Sequence, residues 1–117
     1  MNFLWQHSKY IFLAALLLLC SLNSRASTDD AKAIALAKQN ACLGCHAVDK
    51  KIVGPSLQAI AKKYTNDPNA MRFLKNKILK GGSGCWGVVP MPANAKLSDA
   101  DLSLLVGWIL RGPLNTN

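Results

Sequence analysis

The sequence is short of acid, of histidine and of anything that reads as a β-strand. Six acidic residues stand against 14 Lys and Arg, for a formal net charge of +8. The two histidines are His7, near the start, and His46. No internal repeat or low-complexity tract occurs in the 117 residues, a length for one domain. Each shortage excludes something. Without strands there is no βαβ unit to carry a thioredoxin-like dithiol. Without a basic groove interleaved with aromatics, the positive charge does not point to nucleic acid. No arrangement of residues supplies a general base beside a nucleophile, so the sequence gives no sign of an enzyme. The longest apolar run, "IFLAALLLL" over 11–19, falls short of the roughly 20 residues that span a bilayer.

That run sits in a recognisable context. Met1 to Tyr10 carries Lys9 and His7, and the run is followed by the polar "CSLNSRA", with small residues at Ser24 and Ala26. This is the layout of a secretory signal peptide cut after Ala26. The alternatives are retention as a membrane anchor, or lipid attachment at Cys20, for which the preceding residue would be small rather than Leu19. The expected division is therefore 1–26 as a cleaved leader and 27–117 as one domain in an exported protein. Loss of Lys9 and Arg25 lowers the net charge by two. Cys42, Cys45 and Cys85 remain, and an odd number argues against a fully paired disulfide framework. A domain this small often gains stability from a metal, a cofactor or cross-links.

Four stretches of the domain read as helices, so an all-α fold is expected. The first is "DAKAIALAKQN", Asp30 to Asn40, with Ile34 and Ala37 on one face and Asp29 and Asp30 favoured at its N-terminus. The second, "SLQAIAKKY", has Ser56 as N-cap and Leu57, Ile60, Ala61 and Tyr64 as its apolar stripe. The third takes Asp67 as cap and Pro68 as first residue, turns Met71, Leu74 and Ile78 inward and stops at Gly81-Gly82. The fourth starts at Ser98, with Asp101 in a capping-box position. Leu102, Leu105, Val106 and Ile109 form its stripe, and Gly112-Pro113 ends it. Between the third and fourth lies a long loop, "GGSGCWGVVPMPANAK". Its Trp86, Val88, Val89 and Met91 argue that it covers something apolar rather than being disordered.

The chemistry is concentrated in "ACLGCHAV", Ala41 to Val48. Cys-x-x-Cys-His suits a redox dithiol, half of a zinc site or covalent haem attachment. A zinc site needs four ligands. Adding Cys85 makes Cys3His in number, but adjacent Cys45 and His46 suit a tetrahedron poorly. Haem attachment uses every residue where it stands: two thiols one helical turn apart reach two vinyl groups, and the next imidazole lies below the iron. Haem c is the favoured reading. The iron's other face then needs a ligand, and no second histidine survives leader removal. Met71, at helical spacing with Leu74 and Ile78, reads as core filler. Met91 has no helical stripe to explain it and is fixed between Pro90 and Pro92, so it reads as the sixth ligand.

"CLGCH", "VGPS", "GCWGVVPMPANAKLS" and the closing "LVGWIL" together resemble the small bacterial class I cytochromes c. The resemblance runs in order through nearly all of 27–117. It implies about four helices wrapped around one covalently attached haem c, with thioethers at Cys42 and Cys45 and axial ligands His46 and Met91. It also implies that the Pro55 carbonyl accepts a hydrogen bond from His46, which would orient the ring. Trp86 would donate to a haem propionate, with Lys77 nearby as a neutralising charge, and Asn94 would hydrogen-bond the Met91 sulfur. The departures are Cys85, where relatives usually carry an aliphatic residue, and Val88, where they often have proline. Cys85 reads as a small apolar substitute, with an intermolecular disulfide or an oxidation-sensitive thiol as alternatives.

The function this implies is single-electron transport in the periplasm, between respiratory-chain partners. Lys50, Lys51, Lys62, Lys63, Lys75, Lys77 and Lys80 would steer the protein to acidic faces on those partners. A membrane cytochrome complex is the kind of donor expected. A nitrite reductase, a peroxidase or a terminal oxidase is the kind of acceptor. The protein is expected to be a monomer, with a Cys85-linked dimer as the alternative. A haem-based gas sensor and a haem subunit of a larger oxidoreductase are the competing classes.

Overall fold

The computed structural model describes residues 24–114, with side chains from Thr28 onward. Most of the expected leader lies outside the described residues. Helix α1 spans Ser24–Gln39, α2 Leu57–Lys63, α3 Ala70–Lys80 and α4 Asp99–Leu110, and one 3-10 turn occupies Cys42–Gly44. Among the described residues there is no strand, only isolated bridges between His46 and Lys51 and between Gly82 and Met91. The fold is all-α, as the sequence leads one to expect.

Helix α4 is the hub. Helices α1, α2 and α3 all pack against it and none packs extensively on another of the three. Its Leu102, Leu105, Val106 and Ile109 are buried as expected, and Trp108 joins them. Burying such side chains contributes roughly 1.5–3 kcal/mol each, so this helix supplies much of the core. Ser98 caps it. Its Oγ accepts from Asp101 N at 3.1 Å and donates to the Asp101 carboxylate at 2.7 Å. In α2, Ser56 Oγ accepts from Ala59 N at 3.0 Å, and Leu57, Ile60 and Ala61 are buried.

Two helices differ from the sequence expectation. Helix α1 starts six residues before Asp30 in the full chain, so Asp29 and Asp30 reach its first turn only once the expected cut after Ala26 shortens it. Asp30 instead pairs with Arg111, at the end of α4. Ala33 and Ala37, rather than Ile34, are the fully buried pair, and their small size lets α1 approach α4 closely. Helix α3 begins at Ala70, three residues after Asp67. The Asp67 carboxylate accepts from Asn69 N at 2.8 Å, forming a turn in which Pro68 lies, and no helical residue is left for it to cap. The buried stripe is Ala70, Leu74 and Ile78. Met71 is 37% exposed and is not core filler, because Ala70 rather than Met71 completes the buried stripe with Leu74 and Ile78.

Candidate functional site

The cysteine motif is folded into one tight turn. Ala41 enters it in the left-handed region, with φ 56°. Cys45 N and His46 N then both donate to the Cys42 carbonyl, at 3.2 and 3.0 Å. This winding brings both thiols, unpaired, to the wall of a single cleft. The segment after the motif folds back on it: Gly54 N donates to Cys45 O at 2.8 Å and Leu57 N to Ala47 O at 2.9 Å. That return brings the Pro55 carbonyl 2.7 Å from His46 Nδ1. A carbonyl only accepts, so Nδ1 is the donor in this contact and Nε2 is the nitrogen left for another partner. Gly54 makes the close approach sterically feasible. A Cβ there would lie 2.4 Å from His46 Cε1.

Met91 reaches the same cleft from the other end of α3. The helix stops at Gly81, whose φ of 66° and ψ of −149° lie in a region essentially reserved for glycine. Gly82 and Met91 then pair, Gly82 N donating to Met91 O at 2.9 Å and Met91 N to Gly82 O at 3.0 Å. The pair closes the neck of the 82–91 loop and sets Met91 beside the end of the helix. Asn94 N donates to Ile78 O at 2.8 Å, satisfying a carbonyl in the last turn of α3.

The cleft measures about 1080 Å³ with its open mouth included, and its lining is almost wholly apolar. Leu57, Ile60, Leu74, Ile78, Leu105 and Trp108 contribute from α2, α3 and α4. Seven of the site residues expected from sequence line it together: Cys42, Cys45, His46, Pro55, Lys77, Trp86 and Met91. Cys85 lines it too, half-buried and unpaired. Asn94 does not. Its amide donates to Asn40 Oδ1 at 2.9 Å, and Asn40 in turn donates to Leu36 O at 2.9 Å. This bond ties the loop to the end of α1. Asn40 and Gly54 were not singled out in the sequence, and Gly81 only as the stop of the third helix. An Asn directly after a helix was the one signal available for the first.

Among the described residues no group of His, Cys and acidic side chains is arranged to hold a metal ion by itself. Cys85 is thus not brought together with the Cys-x-x-Cys-His turn as a zinc site. An apolar cleft with two thiols, one imidazole and one thioether instead fits a large planar ring with a metal at its centre. A sequence model of cytochrome c matches residues 31–112. The chain belongs to the cytochrome c family.

This cytochrome is similar to cytochrome c-552 of Nitrosomonas europaea, 51% identical over 75 residues, which are 64% of this chain and 73% of that protein. It is 46% identical over 77 residues to cytochrome c-551 of Allochromatium vinosum, covering 66% of this chain and 82% of that one. The crystal structure of the Nitrosomonas europaea cytochrome c552 superposes with a TM-score of 0.65 at 48% identity, covering 68% of this chain and 99% of that one. A class 1 cytochrome of Sideroxydans lithotrophicus superposes at 0.62 with 33% identity, covering 68% and 91%. The protein is a small class I bacterial cytochrome c, a monohaem electron carrier rather than an enzyme, and its family carries covalently attached haem c.

Two local details of this cytochrome bear on how it takes its haem. As a free thiol, Cys42 is pushed above its ordinary pKa, chiefly by burial and less by neighbouring Cys45, against a lowering backbone hydrogen bond. Gly54→Ala would drive a methyl group into the His46 ring. Overpacking of this kind costs about 1–3 kcal/mol. The holoprotein variant is expected to melt roughly 4–8 °C lower for each kcal/mol, and NMR of the imidazole should show its bond to Pro55 broken or lengthened. An unchanged melting temperature and ring resonance would mean that the 54–55 backbone moves aside freely.

Proposed function

We propose that this cytochrome holds haem c through thioethers at Cys42 and Cys45, with His46 Nε2 and Met91 Sδ as axial ligands. It then shuttles single electrons between respiratory-chain partners in the periplasm, after removal of the leader at Ala26. The observation that carries the reading is the cleft itself. It gathers one imidazole and one thioether from separate segments, with the imidazole's other nitrogen already committed to Pro55. The haem, when bound, supplies the one-electron couple. The chain's residues decide how that couple behaves.

His46 and Met91 would hold the metal from two separate segments, and a substrate would have to displace one of them to reach it. A neutral thioether favours the ferrous state and raises the potential relative to bis-histidine ligation. The apolar walls act in the same direction, because the ferric site carries the extra charge. The Pro55 carbonyl fixes the imidazole plane and strengthens it as a donor. Trp86 and Lys77 would serve as the donor and the countercharge for the propionates, a reading that their position on the cleft wall supports.

The lysines divide into two groups. Lys75 is engaged with Asp99 and with Ser103, and Lys63 donates to a backbone carbonyl. Lys50, Lys51, Lys62 and Lys80 have no ion pair among the described residues and remain to attract acidic faces on partners. Partners of this kind include a membrane cytochrome complex as donor and a nitrite reductase, peroxidase or terminal oxidase as acceptor. Cys85, half-buried in the cleft wall, suits an apolar filler better than an intermolecular disulfide, which favours a monomer.

The test is the visible spectrum of the exported holoprotein, oxidised and reduced, with and without carbon monoxide. Sharp c-type bands on reduction, a weak far-red sulfur-to-iron band on oxidation and no response to carbon monoxide are expected. A spectrum that shifts with carbon monoxide would remove Met91 as a firm ligand and turn the reading toward gas sensing.

A further inference from the structure

The loop that delivers Met91 is poor in anchors. Its neck is the Gly82–Met91 pair, and across its tip Gly84 N donates to Gly87 O at 2.8 Å. Gly82, Gly84 and Gly87 all have positive φ, and Val88 and Val89 are 91% and 61% exposed. Side-chain packing therefore does little to hold the span. Trp86 and Met91 nonetheless both belong to the cleft wall.

Among the described residues, one hydrogen bond ties 83–90 to another element. Lys63 Nζ donates to the Cys85 carbonyl at 2.9 Å. The same ammonium lies 4.4 Å from the centroid of the Trp86 ring and 5.9 Å from that of Tyr64. One head group thus engages two consecutive loop residues, one through its backbone and one through its ring face. Its mount is firm, because Lys63 is the last residue of α2, whose Leu57, Ile60 and Ala61 are buried. A lysine serving only solubility would keep its rotamer freedom, which costs up to about 2 kcal/mol to freeze. Here that freedom is given up to two contacts on the same loop.

We propose that Lys63 is a positioning residue that latches the 83–90 loop against α2 and so keeps Met91 on the cleft. The inference rests on Met91 being the sixth ligand. Lys63 lies outside the cleft lining and acts through Cys85 O and Trp86. Loss of a charged hydrogen bond and a cation–π contact raises the open fraction of the loop about tenfold. An external ligand that enters only the open form gains apparent affinity by the same factor.

The experiment compares oxidised holoprotein with Lys63→Met, with Lys63→Arg, and with Lys62→Met as a charge-matched control on the neighbouring exposed lysine. Two quantities are read: the affinity for imidazole and the exchange rate of the Gly84 amide. Lys63→Met should bind imidazole about tenfold more tightly and exchange Gly84 about tenfold faster, with amides of α1 and α4 unchanged. Lys62→Met should match the wild type. Lys63→Arg should recover most of the difference, since a guanidinium both donates and stacks. Equal effects from Lys62→Met and Lys63→Met, or acceleration spread evenly over α1 and α4, would overturn the latch. Absence of the far-red band in the wild type would instead remove the Met91 reading, and Gly84 exchange would still report on the latch.

Discussion

Met91→Ala should abolish the far-red band of the oxidised protein completely and let the reduced protein bind carbon monoxide. The size of the effect follows from what surrounds the cleft. Met71 is the other methionine among the described residues, and it is 37% exposed, on α3 but outside the cleft lining. His46 is the sole histidine there and is already committed. On the cleft wall the side chains left that could replace the thioether are the Cys85 thiol and the Lys77 amine. The reduction potential should also fall, because the neutral sulfur that favours ferrous iron is gone. Met71→Ala is the natural control and should leave band and potential unchanged. If Met91→Ala kept the band, another residue would be the sulfur ligand. A spectrum typical of thiolate ligation in the variant would identify Cys85 as a substitute that the wild-type loop keeps out.

Gly81→Ala is expected to be the most damaging single-methyl change in the protein. The new Cβ would lie 2.3 Å from Met91 O, 2.8 Å from Ala93 N and 2.9 Å from Pro92 C. All three are backbone atoms, so no rotamer change relieves the contact. The backbone angles are themselves unfavourable for any residue with a side chain, at about 1–3 kcal/mol. Strain and overpacking together should cost on the order of 3 kcal/mol, or roughly 12–24 °C in Tm for a domain of this size. The order of loss is as informative as its size. The clash lies at the neck of the loop, so the far-red band should disappear on heating before far-UV dichroism reports loss of helix. Coincident transitions near the wild-type Tm would show that the neck can widen without releasing Met91.

What could be read from the sequence depended on how local the deciding interaction was. Helices α2 and α4 have side-chain caps a few residues from their stripes, and both were legible. The start of α3 was not, because Asp67 serves equally as a cap or as the acceptor of an Asx turn, and the fold selects the turn. Met71 and Ala70 fit the same spacing with Leu74 and Ile78, and the side facing α4 decides between them. Met91 stood out because two prolines flank it in a segment without periodicity. The Asn94–Asn40 pair was not legible, because the partners lie 54 residues apart and meet only when the end of α1 reaches the loop. Lys63 and Lys75 look like any other surface lysine until the fold places Cys85 O beside one and Asp99 and Ser103 beside the other.

The hub position of α4 also governs the order in which the molecule can be put together. Helix α1, which leads directly into the Cys42–His46 turn, has as its main docking surface a helix near the far end of the chain. Asp30 and Arg111 pair across 81 positions. Contacts that distant are entropically slow to close and give nothing back until they form. During synthesis the N-terminal helix therefore emerges first and waits longest for its partner. For that interval both thiols and the imidazole would stand on a segment whose helix has not yet docked. The segment proposed to carry the haem would then be secured only once the end of the chain is in place.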